Sequence, residues 1–407
     1  MWLRARTALP RARKRPHRPD SSNALTVYLD HNATTPLDER VLEAMLPYLR
    51  GGYGNPSSLH AKGREARAAL DQAREQVAQL VSAHPSQVMF TSGGTEANNS
   101  ALKGVAYRSS QGRIAISAIE HASVQSPAAA LACHGWQIDA IAVDAQGRCN
   151  SELLQQALRT ETRLVSVMWA NNETGAVQPV AELARLCREQ GVIFHTDAVQ
   201  AAGKLEVDFP ASGAHLMSLS AHKLYGPKGA GALILDKALD LEPLLHGGGQ
   251  ERGRRGGTEN LAAIVGFGKA AELAAIELAE RRRHLVTLRE VFERRLAMEL
   301  PQAVVFSREA PRLPNTVFMS VPGLEGQTLI MALDQQGIAV SSGSACGSDN
   351  REPSPVLKAM DVDSGLAHGA IRVSFGKDNT EGDIDTLCGV LVSQVKQLQS
   401  LAATTAW

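Results

Sequence analysis

The sequence predicts an α/β protein, a mostly parallel sheet wrapped by helices and followed by a smaller α+β domain. Three observations predict it. Between about residues 85 and 236, short β-rich runs alternate with helical patterns, the order that builds parallel sheets. Several of those runs are apolar on both alternating faces, as strands covered by helices on two sides must be. After Gly257 the texture changes to one long helix-forming run, then a mixture of strands and helices.

The strands are expected at 88–91, 113–119, 138–143, 164–169, 192–196, 216–219 and 232–235, which would make a seven-stranded sheet. Helical stretches at 96–107, 123–134 and 180–190 lie between them. Residues 260–300 are rich in Ala, Leu, Glu and Arg and meet no proline until Pro301, so they predict a long helix. Strands at 316–321, 339–341 and 371–375, a helix at 327–336 and a last helix from 383 to about 401 complete the second part. No Pro/Gly/Ser-rich linker divides the two parts, which are expected to pack closely, and there is no internal repeat.

Composition narrows the function classes. With 407 residues, 44% of them apolar and 21% charged, the chain is globular, neither disordered nor fibrous. Its longest apolar stretch, 261–275, is broken by Lys269 and Glu272 and falls short of the ~18 uncharged residues that a membrane span needs. No membrane association is expected. The 42 basic and 42 acidic side chains are unevenly placed. The first 22 residues carry seven of the basic ones and a single acid, Asp20, leaving 35 basic against 41 acidic in the rest. A mildly acidic body has no general field for nucleic acid. The basic arm reads as a disordered tail. Its Arg-rich, acid-poor start would suit a mitochondrion-like address, but Pro10, Pro16 and Pro19 interrupt any amphipathic helix, so the cytoplasm is expected.

Five cysteines, odd in number and without a CxxC pair, point to a reducing compartment and to no resident metal. Cys133, Cys187 and Cys388 read as small buried fillers, and Cys149, beside Gly147 and Asn150, as a surface turn residue. Cys346 stands apart, flanked by small polar residues from Ser341 to Ala345 and from Gly347 to Asn350, a setting in which a thiol can ionise and attack sulfur.

Three motifs carry the chemistry. Thr91-Ser92-Gly93-Gly94-Thr95-Glu96 follows an apolar strand and opens a helix, leaving backbone N–H groups for a phosphate, although such a turn alone is more often just a turn. Asp197 ends the apolar run Val192-Ile193-Phe194-His195-Thr196, where open sheets bind ligands, and could equally cap the next helix. Lys223 comes just after another strand and before the turn Gly226-Pro227-Lys228-Gly229. A phosphate nest, an acid and a lysine on one sheet match the needs of pyridoxal phosphate.

At that point the chain resembles the cysteine desulfurases of the NifS/IscS type, within the fold-type-I pyridoxal-phosphate enzymes. The resemblance runs from about Val27 to Asp385. It rests on "YLDHNATTP" from Tyr28, "GNPSSLH" from Gly54, "TSGGTEANN", "EHASV" from Glu120 and "NNETG" from Asn171. It continues in "HTDAVQ", "SAHKLYGPKG", "RRGGTEN" from Arg254, "SSGSAC" ending at Cys346 and "IRVSFG" from Ile371.

The resemblance implies that Lys223 bonds to the cofactor's aldehyde carbon and later moves the substrate α-proton. It implies that Asp197 holds the ring nitrogen, Gln200 the ring hydroxyl, and His121 the face of the ring, where its imidazole would also be catalytic as a proton shuttle. Gly94, Thr95, Ser220 and His222 would hold the phosphate, with Thr258 reaching the phosphate site of a second subunit in a homodimer. Arg372 would take the substrate carboxylate by a bidentate fork, assisted by Asn32 and by Asn172, which would also bind the cofactor. L-cysteine would yield L-alanine and a persulfide on Cys346. A sulfur-acceptor protein, an iron–sulfur scaffold or a tRNA-thiolation relay, would collect the sulfur, with Cys346 touching a cluster only during transfer. The implied domain division is a basic arm at 1–23, an N-terminal segment at 24–37 packing with the small domain, a large domain at 38–260, and a small domain at 261–407 carrying the cysteine loop.

Two departures from the family pattern stand out. Gly347-Ser348 replaces the commoner Thr-Ser, and the end "LAATTAW" is short, which puts docking to the usual scaffold in doubt. The rival reading on the same fold is a selenocysteine lyase or another β-elimination enzyme. It would need Lys223 and Asp197 but not Cys346.

Overall fold

The structure, a computed structural model, describes residues 27–343 and 353–405. The basic arm and Cys346 with its neighbours lie outside the described residues. The central sheet has seven strands in the order Val88–Thr91, Gly231–Leu235, Leu216–Ser220, Ile193–Asp197, Thr162–Ser166, Arg113–Ser117 and Gln137–Ile141. Gly231–Leu235 runs antiparallel to both neighbours, and the remaining pairs are parallel. Every residue of Val88–Thr91, Leu216–Ser220 and Gly231–Leu235 is buried, which explains why these strands carry no charged residue.

Helices cover both faces. On one side Ala61–Leu80 and Leu261–Glu299 pack together, with Leu70, Phe194 and Phe267 in the core between them and the sheet. On the other, Gly94–Arg108 and Ala122–Ala132 bury Leu102, Ile114, Leu131 and Trp136. Fully burying side chains of this size contributes roughly 1.5–3 kcal/mol each.

A three-stranded antiparallel sheet, in the order Ala370–Ser374, Thr316–Ser320 and Val304–Val305, forms the second core. Glu381–Thr405 and the far half of Leu261–Glu299 back it, through Leu288, Phe292, Val317, Ile371 and Leu391. The long helix therefore serves two cores, with Ile264, Phe267 and Ala271 in one and Leu285, Phe292 and Leu296 in the other.

The N-terminal segment joins them. Val27–Tyr28 pairs parallel with Ile338–Ala339, and Leu29 is buried among the second core's side chains. The chain then crosses to the large sheet, where Thr35 N–H donates to His222 O at 3.1 Å and Asp38 N–H to Tyr225 O at 3.0 Å.

Two cysteine expectations need correction. Cys149 is buried, its N–H donating to Gln178 Oε1 at 2.8 Å and its thiol to Ser117 Oγ at 3.5 Å. The turn is made by Gly147 (φ 72°), and it folds Cys149 inward, where burial pushes the thiol pKa up to about 12. Cys133 is exposed, because it is the residue that ends the helix Ala122–Ala132. Cys187 and Cys388 are buried.

Candidate active site

The carboxyl ends of the strands converge on a cavity of about 340 Å³. Asp197 and Ser220 are the last residues of their strands, Gly94 follows Val88–Thr91, and His121 and Asn172 follow two others. Gly94, Thr95, His121, Asp197, Ser220 and Lys223 all line the cavity. So do Asn32, Asn172, Gln200, His222 and Arg372. Thr258 does not. It is exposed, seven residues beyond a turn held against the strand Val88–Thr91 by Glu251.

The phosphate end is built from backbone. The helix Gly94–Arg108 starts at the cavity wall with Gly93 as its cap and no side chain satisfying its first turn, so N–H groups and the positive end of the dipole face the cavity. A Cβ at Gly94 would lie 2.9 Å from Val199 Cγ2, so a side chain there would crowd the cradle. Gly231 lets the Gly93 backbone approach, since a Cβ there would come within 2.6 Å of Gly93 Cα. Ser220 Oγ is buried and without a hydrogen-bond partner among the described residues. His222 Nδ1 contacts Thr34 Oγ1 at 3.1 Å, and burial, with Lys223, Lys228 and Lys204 nearby, lowers its pKa to about 4.

Asp197 is pinned on both oxygens. Oδ1 accepts from Val199 N–H at 3.0 Å, the capping role the sequence left open, and Oδ2 from Asn98 Nδ2 at 2.7 Å. Asn98 also donates to Ser123 Oγ at 2.8 Å, and that hydroxyl lies 2.8 Å from His121 Nδ1. Ser123 N–H donates to His121 Nδ1 at 3.1 Å, so Nδ1 is the unprotonated nitrogen and a neutral ring carries its proton on Nε2. Burial lowers the pKa of His121, with the Asp197 charge opposing and Lys223 reinforcing the shift.

Lys223, at the end of the 3₁₀ turn Ala221–Lys223, donates to Asn32 O at 2.5 Å and Ala33 O at 2.6 Å. Across the cavity Arg372 is 2% exposed. Its Nη1 donates to Gly343 O at 2.6 Å and Asn172 O at 3.0 Å, and Nη2 pairs with Asp30 Oδ1 at 2.6 Å. The end-on fork is thus engaged by the protein. Nε is buried and has no partner among the described residues, and the side chain lines the cavity, so Arg372 keeps one donor in reserve beside the site.

Four residues with roles here were missed in the sequence. Asn98 lies one helical turn beyond the glycine cradle, a spacing that could have flagged it. Glu120 accepts from Met168 N–H at 2.5 Å, and burial first, then the Asp197 charge, raises its carboxyl pKa well above the usual range. Glu173 accepts from Ser354 Oγ, and burial raises its pKa too. Lys204 is buried against Gln200 and Asn32.

A cradle open only to glycine, an unpartnered serine hydroxyl, a pinned aspartate and a lysine suit a phosphorylated pyridine aldehyde such as pyridoxal phosphate. The class-V aminotransferase family matches residues 27–387, and the chain belongs to that family. It is similar to the cysteine desulfurase IscS of Dictyoglomus turgidum, 43% identical over 92% of this chain and 96% of the relative. The cysteine desulfurase NifS of Azotobacter vinelandii is 42% identical over 92% and 94%. A solved NifS-like protein superposes with a TM-score of 0.86 at 38% identity, over 91% of this chain and all of that one. SspA, solved in complex with cysteine, superposes at 0.77 with 31% identity, over 87% of this chain and 100% of its own. The chain is a pyridoxal-phosphate-dependent enzyme of the cysteine desulfurase kind.

Proposed function

We propose that this cavity removes sulfur from L-cysteine, giving L-alanine and a persulfide on Cys346, from which an acceptor protein takes the sulfur. The observation that carries the reading is the convergence of Lys223, Asp197, the Gly94–Ser220 cradle and Arg372 on one cavity. Bound pyridoxal phosphate supplies an electron sink that makes the substrate's α-proton removable. The N–H groups at Gly94 and Thr95, with Ser220 and His222, hold the phosphate. Asp197, held in place by the donors Asn98 and Val199, would pair with the ring nitrogen and keep a proton there. His121 covers the ring and offers Nε2–H to groups that gain negative charge.

Lys223 Nζ would take the substrate's α-proton and carry it for later return. Arg372 holds the substrate carboxylate from the cavity wall, with Asp30 balancing its charge and Asn172 and Asn32 completing the wall. The Cys346 thiolate then attacks the substrate sulfur. The carbon–sulfur bond breaks, a sulfur–sulfur bond forms, and a proton is delivered to the carbon, so that cysteine plus thiol becomes alanine plus persulfide.

The working form is a homodimer in which Thr258, exposed and outside its own cavity, reaches the second subunit's cofactor. The sulfur goes to an iron–sulfur scaffold or a tRNA-thiolation relay, in the cytoplasm, and the protein keeps no metal of its own. Among the described residues no helix is long and apolar enough to cross a membrane. An absorbance spectrum followed by L-cysteine under a reducing thiol tests the reading. A band near ~420 nm, with alanine and sulfide released in equal amounts, is expected. A protein that stays colourless with added cofactor refutes it, and a band without turnover moves the substrate to another amino acid.

A further inference from the structure

Lys204 lies four residues after Gln200, in the turns beyond Ile193–Asp197, and is 7% exposed. Its Nζ donates to Gln200 Oε1 at 2.7 Å and to Asn32 Oδ1 at 3.1 Å. Among the described residues no carboxylate bonds to it. Burial first, and then the charges of the cations Lys223 and Arg372, push its pKa well below the ordinary lysine range. His31, Tyr225, Arg281 and Lys377 line the small void on its other side. A lysine without a counter-charge is a costly way to fill a core.

Its contacts explain its presence. Asn32 O is a carbonyl and can only accept, so the Gln200 nitrogen must face it, and Nε2 donates there at 2.9 Å. The Gln200 oxygen then needs a donor on its other side, and Lys204 is that donor. With both ends fixed, the amide keeps one Nε2 hydrogen for the cavity it lines. The pyridoxal ring carries one phenolic oxygen able to accept it.

We propose that Lys204 is a positioning residue that fixes the Gln200 amide, so that its N–H faces the phenolic oxygen of the cofactor and lowers the proton affinity of the nitrogen through which Lys223 holds the cofactor. The proposal rests on the cavity being the pyridoxal-phosphate site. A donor on the phenolic oxygen stabilises its negative charge and weakens its hold on the neighbouring proton, so losing the donor raises the pKa of that nitrogen.

The test is a pH titration of the long-wavelength absorbance of the holoenzyme, without substrate. In Lys204→Met the midpoint rises by about one pH unit. Lys204→Gln, which keeps an N–H donor, returns most of the way to the parent value. In a Gln200→Leu background, which raises the midpoint by itself, Lys204→Met adds nothing further. A Lys204→Met midpoint equal to the parent's overturns the proposal. So does an equal shift in both backgrounds, which would mean a through-space charge effect. Should Lys204→Met fail to fold, Lys204→Gln carries the test, and a shift of a full unit there overturns the proposal. A parent protein that takes up no cofactor refutes the reading of the cavity instead.

Discussion

Replacing Glu251 by alanine should cost about 3–5 kcal/mol of stability, the range for removing one partner of a buried ion pair. Glu251 and Arg74 are 2% and 8% exposed in their side chains. Arg74 Nη1 donates to Glu251 Oε2 at 2.7 Å and Nη2 to Oε1 at 2.8 Å, while Phe90 N–H donates to Oε2 at 2.9 Å. The substitution removes all three charge-assisted bonds. It leaves a guanidinium with only Val88 O at 2.8 Å and the Phe90 ring, 4.8 Å from its carbon, for company. Glu251 also has φ 45°, in the left-handed region, so Glu251→Gly should lose about 1 kcal/mol less than Glu251→Ala. The double variant Arg74→Met/Glu251→Met should be less damaged than the sum of its singles, because no charge is stranded. The effect reaches the site. The same turn leads to Arg255, which pairs with Glu96 at 2.9 Å, and Glu96 accepts from Ser92 N–H at 2.8 Å beside the phosphate cradle. Urea unfolding of the holoenzyme, with cofactor retention after dialysis, measures both. A loss under about 1 kcal/mol in Glu251→Ala, or strict additivity in the double variant, refutes the reasoning.

Three further outcomes are expected. Arg372→Lys loses the planar edge and should lower kcat/KM for L-cysteine about a hundredfold, mostly through KM, with the cofactor band intact; an unchanged KM contradicts carboxylate capture there. Cys346→Ala should keep the cofactor spectrum and lose alanine production, and persistent turnover would favour a direct elimination in its place. Acid should destabilise the fold before its carboxylates titrate. Burial holds His31 at about 4 and His195 at about 3, below the unfolded value of about 6.5, so between those limits the unfolded chain binds protons that the native one does not. Their stabilisation is complete above pH 6.5 and shrinks as the pH falls, by about 2 kcal/mol each at pH 5. A urea midpoint unchanged from pH 7 to pH 5 would contradict this.

The strands were legible because the sheet is covered on both sides. Gly231–Leu235 is buried at all five positions, and an apolar run needs no partner to be recognised. Site residues were legible where local chemistry required them, as with paired glycines before a helix or an acid at a strand end. Cys149 was misread because its neighbours are turn formers, and only the path of the chain after Gly147 turns it inward. Lys204 follows Gly203, another turn residue, and a lysine in such a place reads as solvated. Its burial depends on the N-terminal segment lying across it, a contact between residues 172 positions apart that leaves no periodic trace. Glu120 and Glu173 were read only as members of motifs, because a carboxyl's environment is a tertiary property.

Asn32 shows why those distant contacts matter to the chemistry. Its N–H donates to Ser374 Oγ at 3.0 Å and its side-chain nitrogen to Thr316 Oγ1 at 2.8 Å, both in the small sheet. Its side-chain oxygen accepts from Asn315 and Lys204, each at 3.1 Å, and its carbonyl from Gln200 and Lys223 in the large domain. Every polar atom of this residue is therefore satisfied, and the partners come from both cores. A half-satisfied buried amide is costly, so the network favours one relative placement of the two cores over its neighbours. That placement also sets how far Arg372, on the small sheet, stands from Lys223 and Asp197, on the large one. The hydrogen bonds that hold the domains together are thus the ones that space the carboxylate-binding edge from the proton-moving lysine.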